Sequence, residues 1–134
     1  MSGFLDRYQT DKSLEEEGVW VDFGGGVMVK VARITSAKSR EVRRRLERPL
    51  ARKNRNEELT LDQLEHLMIE QLSQAVVKDW KGVTDEKGKE LPCTVENCRD
   101  ILNKFPDFRE DVATVSMEKA TFQQNRMQDE LGNS

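Results

Sequence analysis

Val19-Trp20-Val21-Asp22-Phe23-Gly24-Gly25-Gly26-Val27-Met28-Val29-Lys30-Val31-Ala32 is the stretch whose reading sets the fold class. Val19, Val21 and Phe23 alternate with Trp20 and Asp22. Beyond the glycines, Val27, Val29 and Val31 alternate with Met28, Lys30 and Ala32. Successive strand side chains point to opposite faces, so this alternation around a three-residue glycine loop predicts a β-hairpin with one valine face. Two strands alone are marginal in water, and the valine face must therefore lie on helices or on further strands. Helical patterns fill the rest of the chain. The expected class is α+β, an N-terminal β-hairpin packed on a bundle of about four helices.

Downstream of the hairpin, Ser36 to Lys53 carries helix formers, with Val42, Leu46 and Leu50 spaced four apart. Pro49 has no N–H and clashes with the preceding turn, which predicts a kink or break near Arg48. Asn54-Arg55-Asn56 reads as a linker. Thr60-Leu61-Asp62-Gln63 fits a capping box, with Leu59 and Leu64 placed for a hydrophobic staple. From there Leu61, Leu64, Met68, Leu72 and Val76 run at helical spacing, predicting one long helix that ends near Trp80 with Gly82 as its left-handed cap. A polar turn, Thr84 to Glu90, leads through Leu91-Pro92 to Thr94, an N-cap for a stripe of Val95, Cys98, Ile101 or Leu102, and Phe105. Pro106 ends that helix and opens a last one carrying Phe108, Val112, Val115 and Phe122. Residues 1–17 read as a flexible N-terminal tail or a loose helical turn, 18–125 as one domain and 126–134 as a second polar tail.

The chain has 134 residues, 36% hydrophobic and 35% charged, which allows a single thin core under a heavily charged surface. No apolar run approaches the roughly 20 residues that span a bilayer. The N-terminus lacks the basic and then apolar build of a signal peptide, making the cytoplasm the expected compartment. Cys93 and Cys98 fit reduced thiols there, and their spacing has no second ligand pair to complete a zinc site.

Motifs for catalysis fall away one by one. A phosphate loop should lead into a helix, whereas Gly24-Gly25-Gly26 leads into a strand. Asp85, Gly88 and Glu90 lack the repeated oxygen ligands of a calcium loop. His66, the only histidine, has no partner at a catalytic or metal spacing, and no carboxylate stands in an apolar setting. The expectation is a protein without catalytic, cofactor or metal residues, whose work is binding.

Two features are candidates for that work. One is the basic run Lys38, Arg40, Arg43, Arg44, Arg45, Arg48, Arg52, Lys53 and Arg55, diluted only by Glu41 and Glu47. It reads as a solvated face, as a surface for an acidic protein partner, or as a phosphate contact. Nucleic acid is disfavoured by the net charge of -3 and by the lack of interleaved aromatic residues. Arg43, Arg44, Arg45 and Arg48 are its core. The second feature is the pair Trp20 and Trp80. Either both rings fill the joint between hairpin and helices, or one is an exposed aromatic anchor for a partner helix.

The order of these parts resembles the tail assembly chaperones of long-tailed bacteriophages. Glu17-Gly18-Val19-Trp20-Val21-Asp22-Phe23 precedes a glycine turn and Val31-Ala32-Arg33 closes the second strand. A basic helix and a capped helix follow, then Asp79-Trp80-Lys81-Gly82-Val83-Thr84-Asp85 and Gly88-Lys89-Glu90-Leu91-Pro92. The similarity spans residues 15–125. It implies a protein made in the host bacterial cytoplasm and absent from the mature virion. Such a protein binds the tape-measure protein, keeps it soluble and promotes tail-tube polymerisation around it, with the tail-tube protein as a second partner and self-association as a further option. Some family members have a longer, frameshifted form, and this chain would match the short one. Two other readings stay open, a nucleic-acid-associated phage regulator using residues 38–55 and a minor structural protein of the head–tail junction.

Overall fold

The computed structural model describes residues 3–123. The predicted hairpin is present as β1 (Val19–Gly24) and β2 (Val27–Val31), antiparallel, with Val19 opposite Val31 and Val21 opposite Val29. The loop is shorter than predicted. Gly24 still pairs with Val27, Phe23 is bulged, and only Gly25 and Gly26 turn the chain. Both have positive φ, 62° and 84°, as the mirror-image turns favoured in two-residue hairpin loops require.

The hairpin is completed by a third strand that replaces the end of the predicted long helix. Thr60 caps α4 (Leu61–Gln71) through the reciprocal bonds with Gln63 expected of a capping box. The helix then widens into a π turn (Leu72–Val76) and runs straight into β3 (Val77–Lys81), which pairs antiparallel with β2. Trp80 therefore sits on a strand opposite Val29, and Gly82 caps no helix. The sequence pattern misleads for a simple reason. Trp80 continues the four-residue spacing of Leu72 and Val76, and Val77 and Trp80 are three apart, both spacings of residues that share a helix face. A bulge between the pairs Lys30–Asp79 and Val31–Val77 lets Val77 and Trp80, three apart, both turn inward.

Two other helices differ from expectation. The helix α3 (Ala37–Lys53) continues through Pro49 without ending at Arg48. Pro49 and Arg45, four residues before it, are both exposed, so the carbonyl left without a proline N–H faces water. The helix α5 (Val95–Lys104) is capped by Thr94 as predicted, but Phe105 leaves its apolar stripe and is 54% exposed. The following Pro106 excludes Phe105 from the helical region; its φ of -124° and ψ of 82° throw the ring outward. Pro106 then opens α6 (Pro106–Met117) at its first position. Phe122 lies beyond α6, in a 3-10 turn (Lys119–Phe122), and is fully buried.

Residues 3–17 form two short helices, α1 (Gly3–Tyr8) and α2 (Lys12–Glu17). Asp11 caps α2, and its own N–H donates to the Phe122 carbonyl at 2.9 Å. Glu15 is buried, accepts from Thr10 and pairs with Arg33, whose guanidinium also lies over the Phe122 ring. One buried carboxylate thus ties the start of the chain to the end of β2 and to the last turn. The C-terminal tail predicted for 126–134 lies outside the described residues.

The core joins the inner sheet face to the helices. Val29, Val31, Val77 and Trp80 pack with Ile69, Leu72 and Val76, and with Cys98, Leu102 and Val112 of α5 and α6. The result is an α+β fold with a three-stranded antiparallel sheet in the order β1-β2-β3. Gly82 is its tightest joint, because a Cβ there would stand 2.2 Å from the Gly26 carbonyl oxygen, at a φ of 79°. Gly82→Ala should therefore cost about 2 kcal/mol or more, through strain and loss of the sheet corner. Urea denaturation would check this against Gly88→Ala, whose site has no close neighbours.

Candidate partner-binding surfaces

The two tryptophans lie on opposite faces of the sheet. Trp80, 4% exposed, is a core residue whose indole N–H donates to the Leu91 carbonyl at 2.7 Å. Leu91 in turn donates its N–H to the Val83 carbonyl, and Gly82 N–H donates to the Glu90 carboxylate. These bonds fold the polar excursion back on itself, and Thr84 bridges Glu90. Asp85 accepts the N–H groups of Lys87 and Lys89, which occupies its carboxylate as a turn former. Trp80 is thus unavailable to a partner.

Trp20 pairs with Lys30 on the outer face, half-buried, with the Lys81 ammonium 4.7 Å above its ring centre. Half-buried Met28 pairs with both Asp22 and Lys81 on this face. The outer sheet face therefore presents an amphipathic strip, with Trp20 as its largest apolar element.

The four arginines singled out from the sequence separate into two pairs. Arg43 Nε donates to Glu47 at 3.0 Å and its Nη1 reaches the Gln71 side chain, while Arg45 donates to Gln74 at 2.6 Å. Both brace α3 against α4 and the π turn. At the same joint the buried Gln71 amide donates to the Ser39 hydroxyl at 2.8 Å and to the carbonyls of Ser39 and Ile34. Arg44 and Arg48 point to solvent and have no side-chain partner among the described residues. Arg40 and Arg52, exposed in the same way, extend them into a stripe at i, i+4 spacing. The sequence run contained these two, and their spacing is the signal that sets them apart from the bracing arginines.

Exposed apolar side chains form a third feature. Leu61 is 84% and Leu64 41% exposed, because α4 enters the core only after its first turn. The opposed ends of α4 and α5 flank a groove of about 490 Å³ lined by Asp62, Glu65, His66, Ile69, Glu70, Arg99 and Asn103. His66 is exposed there, and among the described residues no group of three His, Cys, Asp or Glu is placed to hold a metal. Arg99 grips Glu70 with two bonds of 2.6 and 2.8 Å, locking α5 to α4. Burial pushes the Cys98 thiol up to about 12 and the half-buried Cys93 thiol up to about 11, which disfavours the thiolate form at both. Among the described residues no helix is long and apolar enough to cross a membrane.

With this geometry in view, the comparison with protein families is decisive on origin. The family model described as YdaY prophage protein matches residues 34–133. The chain belongs to the YdaY prophage protein family. The match takes in α3, the sheet-completing strand β3, the Trp80–Leu91 corner and both following helices, and starts just after the hairpin. No curated protein and no solved structure matches the chain.

Two outcomes are expected for this YdaY family protein. Trp80→Ala should cost about 3–5 kcal/mol by opening the core, whereas Trp20→Ala should cost about 1 kcal/mol through loss of the cation–π contact and its half-buried surface. Thermal or urea unfolding of both variants measures the contrast. The second outcome concerns acid. Burial raises the Glu15 carboxyl, but Arg33, Thr10 and Lys12 outweigh it; bonds from Arg99 lower Glu70 against its own burial. Both end below their ordinary 4.5. Their contribution to stability is full above that value and is lost as pH falls through the lowered folded values. The denaturation midpoint should therefore drop below pH 4.5. Glu15→Gln with Glu70→Gln should flatten that drop.

Proposed function

We propose that this protein is a tail assembly chaperone of its prophage, binding the tape-measure protein and promoting tail-tube polymerisation around it. The observation that carries the reading is how the two stretches bearing the resemblance meet. Residues 19–24 and 79–92, far apart in sequence, supply the two outer strands of one sheet on either side of β2, with the Lys81 ammonium over the Trp20 ring, Gly82 against Gly26 of the hairpin turn and Trp80 donating to Leu91. The resemblance thus rests on a single packed unit, and phage origin supports it through the family. The outer sheet face and the exposed first turn of α4 offer apolar side chains at separated points on a highly charged surface. That distribution suits repeated, individually modest grips on a long helical partner.

On this reading the protein acts in the host cytoplasm before the virion is complete. Co-expression with the tape-measure protein of the same prophage should raise the soluble yield of that protein and bring the two down together. Trp20→Ala should weaken the co-purification without unfolding the chaperone. An unchanged tape-measure yield with no co-purification would reject the proposal, as would finding the protein as a stoichiometric component of purified virions.

A further inference from the structure

Charge in this molecule is segregated to a degree that the net value of -3 conceals. Between Lys38 and Arg55 nine basic residues stand against Glu41 and Glu47, a net of +7, which leaves -10 for the remainder. The positive end is the outer face of α3, where Arg40, Arg44, Arg48 and Arg52 project at i, i+4 spacing. The negative counterpart is the outer face of α6, with Asp107, Glu110, Asp111 and, just past its end, Glu118, all exposed. None of these carboxylates is in an ion pair among the described residues, and the same holds for the four arginines. The α6 arginine, Arg109, turns inward to the Leu102 carbonyl and Glu65, leaving the acidic face undiluted.

The two faces match in length, roughly 16–18 Å each at 1.5 Å per residue. They do not pair within one molecule: α3 packs on α4 and the π turn, α6 packs on α5, β2 and the π turn, each stripe is exposed, and no ion pair links the two among the described residues. We infer that a second copy of this chain is the occupant of the arginine stripe, its α6 carboxylates lying along α3. The contact is head-to-tail, so every copy added leaves one basic and one acidic face open, and the arrangement propagates as a chain unless the rotation closes a ring. Guanidinium groups favour carboxylates because their planar fork makes paired bonds.

One helix face of this length, about 10 Å wide, offers on the order of 170 Å² per partner, against roughly 800 Å² in a stable pair. Association through it is consequently weak, steeply dependent on salt, and strengthened where copies are held side by side. A polyanion such as a DNA duplex would compete for the same arginines, but the -10 remainder of each molecule opposes close approach to a uniformly charged rod.

Analytical ultracentrifugation of the full chain, with no other protein present, tests the inference independently of the chaperone proposal. At about 0.05 M salt the weight-average mass should rise at least twofold with concentration, and at about 0.5 M it should return to that of the monomer. Arg44→Gln with Arg48→Gln, and separately Asp107→Asn with Asp111→Asn, should each remain monomeric at low salt; circular dichroism verifies that these surface variants fold. Mixed together, the two variants retain one intact face each and should form a pair that stops at two. A monomeric wild type at low salt would overturn the inference, as would variants that still self-associate. A wild type that stays monomeric yet binds a short DNA duplex through Arg44 and Arg48 would assign the stripe to nucleic acid instead.

Discussion

The central strand β2 is hydrogen-bonded along both edges and buried on one face, and the placement of every other element follows from that requirement. Val29 and Val31 are fully buried, each contributing about 1.5–3 kcal/mol of apolar burial. That burial exists only if a third strand covers the free edge of the hairpin and helices cover the valine face. The chain meets both needs with one continuous segment. The segment Leu61–Lys81 delivers α4 and the π turn to the face, then β3 to the edge, and the Ala32 N–H donates to the Val76 carbonyl where they join. At the far end of β3, pairing with β2 beside the hairpin turn leaves no room for a side chain at Gly82, which must pass against the Gly26 carbonyl.

Polar groups then hold the periphery to this centre. Gln71 anchors α3, Glu70 anchors α5 through Arg99, and Glu15 anchors the N-terminal helices through Arg33. Each is a buried or nearly buried group with its partners in place, and each sits where two elements cross. Specific registry, more than bulk hydrophobic area, distinguishes this small core. The same economy leaves side chains outside the core: Trp20 on the outer sheet face is half-buried, and Leu61 of α4 and the arginine face of α3 are exposed.

Much of this was legible beforehand, and the misses have definite causes. The hairpin faces, the Thr60 and Thr94 caps and the Pro106 helix start depend on chemistry within a few residues, and they stand as read. The strand β3 was hidden because its bulge turns Val77 and Trp80, three apart, to one face, which imitates helical spacing. Phe105 was misplaced because the restriction imposed by Pro106 on the residue before it outweighs the helical stripe. The docking of the N-terminal helices was not legible because it is tertiary: Glu15 looks like one more surface acid until Arg33 and Phe122 are beside it.

The sequence by itself determined the α+β class, the hairpin, the helix starts at Thr60, Thr94 and Pro106 and the concentration of positive charge between Lys38 and Arg55, since these are properties of neighbours along the chain. Only the tertiary structure decided that Trp80 is core and Trp20 surface, and that Arg43 and Arg45 brace while Arg44 and Arg48 face solvent. Those distinctions depend on which side of an element meets the rest of the molecule. A periodic pattern marks that two residues share a face, but packing alone determines which face is covered.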